Sequence, residues 1–147
     1  MKSKLIHDAD GGQTYAVILE TGDEVMECLK SFAAEKKLSA ASFKAIGAFE
    51  TATLAFFDWQ EKNYHDIHVD EQVEVASLTG DIAAGPDGAP AVHAHAVLGT
   101  SNGRAIAGHV ASGIVRPTLE IILTEAPAHL RKRFHPEVGL ALIDPSL

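Results

Sequence analysis

The chain has 147 residues, enough for one domain that buries about two-thirds of the surface its unfolded form would expose. Twelve Lys plus Arg against twenty Asp plus Glu give a formal charge of −8. That balance disfavours direct DNA binding, which calls for a basic footprint.

One local exception is Arg131-Lys132-Arg133 near the C-terminus, read most simply as a solvated end and alternatively as a phosphate contact. No run of about 18 apolar residues is present to span a membrane, and Met1 to Gln13 lack the apolar run of a signal peptide. The single cysteine, Cys28, has no partner for an internal disulfide and falls in a helical pattern, so it reads as a small core residue. A cytoplasmic protein is expected.

In chain order, Gln13 to Glu20 (QTYAVILE) reads as a strand. Thr21-Gly22-Asp23-Glu24 then resembles a capping box, with the Thr21 hydroxyl accepting from the Glu24 amide. A helix should follow, because Val25, Met26, Leu29, Phe32 and Ala33 recur at helical spacing and make one apolar face, and Lys36-Lys37 suits the negative end of its dipole.

From Ser42 the period becomes that of strands. SFKAIGAF and TATLAFFDW read as two runs joined near Glu50, with Gly47 marking a bulge or a close backbone approach. Phe49, Phe56, Phe57 and Trp59 are candidates for a pocket lining, although aromatic residues in strands are more often plain core. Tyr64 to Val69 alternates, which puts His65 and His68 on opposite faces, both expected at the surface. Gln72 to Ala84 is long for one strand, and Gly80 is the expected bend. Gly85 to Pro90 (GPDGAP) is a loop.

The stretch from Pro90 to Val110, PAVHAHAVLGTSNGRAIAGHV, holds three of the eight histidines and is where the sequence suggests chemistry. In a strand, His93 and His95 share a face. Ser101-Asn102-Gly103 supplies a turn. If the loop has three residues with Gly103 in the left-handed position, Thr100 pairs with Arg104 and His95 stands opposite His109. Opposed residues have Cβ atoms about 4.5–5.5 Å apart, so the three imidazoles would converge. A two-residue Asn-Gly turn would instead send His109 to the far face.

Three neutral imidazoles at one point, with a fourth position left to water, match an open zinc site whose metal makes that water acidic near neutral pH. The alternative is three separate polar residues on a wet face, or core histidines bonded to backbone carbonyls.

After the hairpin, Gly113 and Pro117 should punctuate a connection before a strand at Thr118 to Thr124. Glu120 is a charge in that apolar run. It reads as a fourth ligand, an acceptor for a ligand histidine or a general base, or else as an exposed residue or a partner of Arg116. Arg116 is a candidate to hold an anionic substrate.

The runs GAFETATLAFFDW, LTGDIA, HAHAVLGTSNGRAIAGHV and RPTLEIIL resemble the plants and prokaryotes conserved (PPC) domain over about residues 10–135, nearly the whole chain. The resemblance implies a homotrimeric α/β domain whose fold is similar to that of acetolactate decarboxylase, an enzyme that holds zinc with a His-x-His pair and a third histidine. By position it implies His93, His95 and His109 as ligands of Zn²⁺ or another divalent transition metal. Bacterial members are often labelled DNA-binding by analogy with plant relatives in which an AT-hook precedes the domain, and this chain carries no Arg-Gly-Arg-Pro hook.

The element order favours a single α+β domain, a mainly antiparallel, strongly bent sheet with a covering N-terminal helix. The functional expectations are a metal-dependent lyase or hydrolase acting on a small carboxylate, a trimeric binding module holding a small anionic ligand, or a DNA-associated regulator.

Overall fold

A computed structural model describes all of residues 1–147. In order it contains β1 (Lys2–Ala9), β2 (Gly12–Glu20), α1 (Val25–Lys36), β3 (Ala40–Asp58), β4 (Asn63–Val69), β5 (Val73–Ala84), β6 (Pro90–Gly99), β7 (Ala105–Glu125), β8 (Lys132–His135) and β9 (Leu140–Ile143). Every ladder between these strands is antiparallel.

The seven-stranded sheet runs β1-β2-β7-β6-β5-β3-β4, and β7 also pairs with β3. The ladders β7–β6, β6–β5, β5–β3 and β3–β7 therefore form a ring, and the sheet bends back on itself around the core. Strict alternation fills it: Ala94, Ala96 and Leu98 point in from β6, and Leu119, Ile121 and Leu123 point in from β7. Burying a leucine- or phenylalanine-sized side chain contributes about 1.5–3 kcal/mol each. With Phe49, Leu54 and Leu78 they belong to one cluster of 28 buried residues.

The single helix contributes Val25, Met26, Leu29, Phe32 and Ala33 to that cluster, the stripe expected from its spacing. It is one 12-residue element in a chain made mostly of strand. Its start differs from expectation. Glu24 is the N-cap, in extended conformation, and its carboxylate accepts from the Glu27 amide at 2.7 Å and the Gly113 amide at 2.9 Å.

Thr21 is not the cap, and its hydroxyl donates to the Pro117 carbonyl. The reason is pairing with β7: Gly22 N–H donates to the Val115 carbonyl and Val115 N–H to the Asp23 carbonyl, which holds a turn at Thr21-Gly22 and delays the helix to Val25.

Several other expectations are corrected. The two runs around Glu50 form one 19-residue strand, β3, bent by irregularities at Ala45/Gly47, Gly47/Phe49, Phe49/Thr51 and Thr53/Leu54. Gly47 does mark the close approach: a Cβ there would lie 2.2 Å from the Thr118 carbonyl oxygen. Gly113 and Pro117 do not break the chain. β7 continues through both, and Arg116 and Pro117 fall where neither neighbouring ladder requires the amide that proline lacks.

The irregularity of β5 lies between Val75 and Ser77, not at Gly80. Phe49 is core, whereas Phe56 and Trp59 are 64% and 63% exposed. Met1 to Gln13 forms most of the β1–β2 hairpin, and the basic run near the C-terminus enters β8, with Lys132 buried. No helix is long and apolar enough to cross a membrane.

Candidate metal centre

The β6–β7 turn has three residues. Thr100 N–H donates to the Arg104 carbonyl at 2.9 Å, Gly103 adopts φ +81°, and Asn102 Oδ1 accepts from the Thr100 hydroxyl and the Arg104 amide. This geometry sets the register that pairs His95 with His109.

On β6 the alanines at 94 and 96 fill the inside, so His93 and His95 stand together outside. The three rings have centroids 5.1–5.5 Å apart, and one nitrogen from each falls within 4.8 Å of the others. His93 Nε2 and His95 Nε2 are 3.2 Å apart. Two nitrogens on one tetrahedral zinc at about 2.0–2.1 Å would be about 3.3 Å apart, so this pair is already spaced for it.

Electrostatics keep His95 and His109 ready for a cation. Burial, reinforced by His93, His95 and Lys132, pushes the His109 imidazole down to about 4. Burial and His93 also lower His95. Neutral imidazole is the form that ligates. His109 Nδ1 is buried and has no hydrogen-bond partner. An unpaired buried polar atom is costly, and an ion or ligand that reached Nδ1 would satisfy it. The residues fit a transition-metal ion.

The surroundings come from other strands. Gly80 lets β6 lie close: a Cβ there would sit 2.2 Å from the His93 carbonyl oxygen and 2.4 Å from the Phe43 ring. Next to it Asp81 faces His93 across the β5–β6 ladder, with Oδ2 3.3 Å from Nδ1. Burial would raise the Asp81 pKa, but the His93 contact and the charge of Lys132 outweigh it and hold the carboxyl below its usual range. An ionised carboxylate only accepts, so a hydrogen bond at this contact requires the proton on Nδ1 of His93, while Nε2 is turned toward His95. Tyr64 of β4 stacks on His109 at 4.8 Å, backed edge-on by Phe57. Burial raises the Tyr64 phenol above its ordinary value.

The structure does not bring Arg116 or Glu120 to the trio within one chain. Arg116 pairs with Glu50 at 2.8 Å, seven residues beyond His109 on β7, or roughly 23 Å at ~3.3 Å per residue. Glu120 is exposed and lies on the outer face about three strand spacings from β6, roughly 14 Å at ~4.8 Å each. There it borders an open concavity of about 630 Å³ with Ile18, Ile46, Ile122 and Lys44.

His65 and His68 are exposed on β4 and take no part. Asp81, Tyr64 and Lys132 escaped the sequence reading. Pro90 already pairs with Ala84, and that register puts Asp81 opposite His93; reading Pro90 as part of the loop shifts the count by one and puts Ala94 there instead, whereas nothing in the sequence connects Lys132 to them.

Fold and site together define an antiparallel, helix-poor β protein with a three-histidine centre on the outside of its sheet. The chain belongs to the Plants and Prokaryotes Conserved (PCC) domain family, whose model matches residues 7–127. It is similar over 99% of both chains to a candidate DNA-binding protein from Bacteroides thetaiotaomicron, at 28% identity and a TM-score of 0.89.

A metal-containing protein from Archaeoglobus fulgidus is 27% identical, with a TM-score of 0.82 over 97% of this chain and 99% of that one. The fold alone extends to a Staphylococcus aureus protein similar to alpha-acetolactate decarboxylase, 15% identical, with a TM-score of 0.54 over 76% of this chain and 51% of that one. No curated protein matches the chain.

Proposed function

We propose that this protein is a metal-binding homotrimer whose His93, His95 and His109 hold Zn²⁺ or another divalent transition metal and act on a small carboxylate as a lyase or hydrolase. One observation carries the reading: three imidazoles converge with the buried His109 Nδ1 left without a partner. Bound there, the metal supplies Lewis acidity toward a carbonyl or carboxylate oxygen. Histidine ligands suit several metals, and affinity order alone does not choose among them.

The chain's own residues hold the site in shape: Asp81 orients His93, and Tyr64 walls the His109 side. The metal-containing relative from Archaeoglobus supports the reading. Support for the trimer comes from the outer face, where Ile46 is 62% and Ile122 39% exposed around the concavity, since exposed apolar patches of this kind mark interfaces. Glu120 and Arg116 keep a place in this reading only as residues that the trimer brings to a neighbouring subunit's trio. A reducing cytoplasmic setting suits the unpaired Cys28.

The test is to load the protein with Co²⁺, follow its visible spectrum, and add azide or a small carboxylate while light scattering reports the mass. A trimer whose spectrum shifts on addition supports an open site. A spectrum that never changes makes the metal structural and removes the enzyme reading. A monomer removes the trimer.

A DNA-associated role is the second reading, favoured by the description of the Bacteroides relative. The charge of −8 opposes direct contact. No gel shift at low salt would remove it.

A further inference from the structure

Lys132 is the second part of the molecule that calls for an explanation. It belongs to the β8–β9 hairpin, beyond the segment the family model matches, and it is only 8% exposed despite its charge. A buried ammonium is tolerated where a partner neutralises it. That partner is Asp81, whose Oδ1 lies 2.9 Å from Nζ. Oδ1 is buried and has no well-angled hydrogen-bond donor, so the contact is an ion pair by distance.

The hairpin is tied to the sheet just before this contact and closed on itself around it. Ala84 N–H donates to the Leu130 carbonyl, Leu130 N–H to the Ser39 carbonyl and Asp144 N–H to the Arg131 carbonyl, while Arg133 pairs with Asp144 at 3.0 Å. Lys132 is thereby delivered to the end of β5 that faces β6.

We propose that Lys132 and Asp81 are a positioning pair for His93. Lys132 clamps one carboxylate oxygen, the other oxygen takes the Nδ1 proton, and His93 is left with a bare Nε2 aimed at His95 and His109. Second partners of this kind fix a ligand imidazole's tautomer and ring orientation and raise its basicity. The C-terminal hairpin, remote in sequence from all three histidines, then sets how well the centre binds its ion. The tautomer half of the proposal is independent of any metal, and the affinity half rests on the metal-binding reading above.

The experiment uses the full chain in three forms: wild type, Lys132→Met, and Asp81→Ala combined with Lys132→Met. The combined variant leaves no buried charge unpaired, and circular dichroism checks its fold. Long-range ¹⁵N correlation spectra of the imidazoles, recorded metal-free at alkaline pH, should show His93 as the Nδ1–H tautomer in wild type and mainly as Nε2–H in the combined variant.

Zinc affinity by chelator competition should fall on the order of 10–100-fold in the combined variant and less in Lys132→Met, with binding still at one equivalent. An Nε2–H tautomer of His93 in wild type, or tautomer and affinity unchanged across all three forms, would overturn the proposal. If wild type takes up no zinc, the metal reading fails by itself and the tautomer result alone decides the role of Asp81 and Lys132.

Discussion

The histidine end of the outer sheet face and the isoleucine-lined concavity lie on one sheet and share strands β5 and β7, yet they are built in opposite ways. At the histidine end, β6, β7, β5, β4 and the C-terminal hairpin all send polar or aromatic groups to one point, and only the buried His109 Nδ1 among the three imidazoles is left for an ion or ligand to satisfy. At the concavity, Ile18, Ile46 and Ile122 stand open with Lys44 and Glu120 between them, and nothing in the chain covers them. A polar site assembled within one chain is suited to holding an ion, whereas an apolar face left open is suited to another protein surface. The same sheet supplies both because alternation lets β6 put alanines inside and histidines outside.

Breaking the β5–β6 contact should give the largest effect. Gly80→Ala drives a methyl group into the His93 carbonyl and the Phe43 ring, so it should destabilise by about 3 kcal/mol and abolish metal uptake, measured by denaturant unfolding and metal analysis. His109→Ala should remove metal uptake as well but leave the β-sheet circular dichroism spectrum unchanged, which separates the site from its scaffold.

Acid sharpens the comparison through protonation. Because the folded protein holds His109 near 4, below the ordinary value of about 6.5, the unfolded chain binds more protons between those values. Stability is complete above about 6.5 and should fall as pH drops toward 4, and the fall should be shallower in His109→Asn when melting temperature is followed across that window.

At the open face the effect should be on association alone. Ile46→Lys should leave folding stability within about 0.5 kcal/mol and metal stoichiometry unchanged while shifting the light-scattering mass toward a single chain. The smallest effect belongs to Arg116→Ala: it removes an exposed pair with Glu50 and should cost under about 1 kcal/mol.

The sequence was most informative where the relevant physics is local. Read as a three-residue turn, the only choice that gives all three histidines one place, Ser101-Asn102-Gly103 with the period of two brings His95 opposite His109, and the period of 3.6 identifies the buried face of α1. It was least informative where a distant segment overrides a local signal. Thr21 looks like a cap, but pairing of residues 22 and 23 with Val115 moves the helix start to Glu24. Pro117 looks like a break, but it falls at a gap between ladders, so β7 runs on. Lys132 looks like a solvated charge until Asp81, 51 positions earlier in the chain, is seen to face it. Glu120 looks like a partner for the histidines because a charge in an apolar run calls for one, and Arg116 because it could hold an anion nearby, but β7 runs unbroken for 21 residues and carries both away from His109.

The most direct test of the central claim is a crystal structure of the metal-loaded protein with anomalous data at the metal's absorption edge. A single strong peak about 2.0–2.1 Å from one nitrogen each of His93, His95 and His109 is the expected result. Loaded crystals with no peak there, or with the peak on other residues, would contradict the account and return the three histidines to the role of ordinary surface groups.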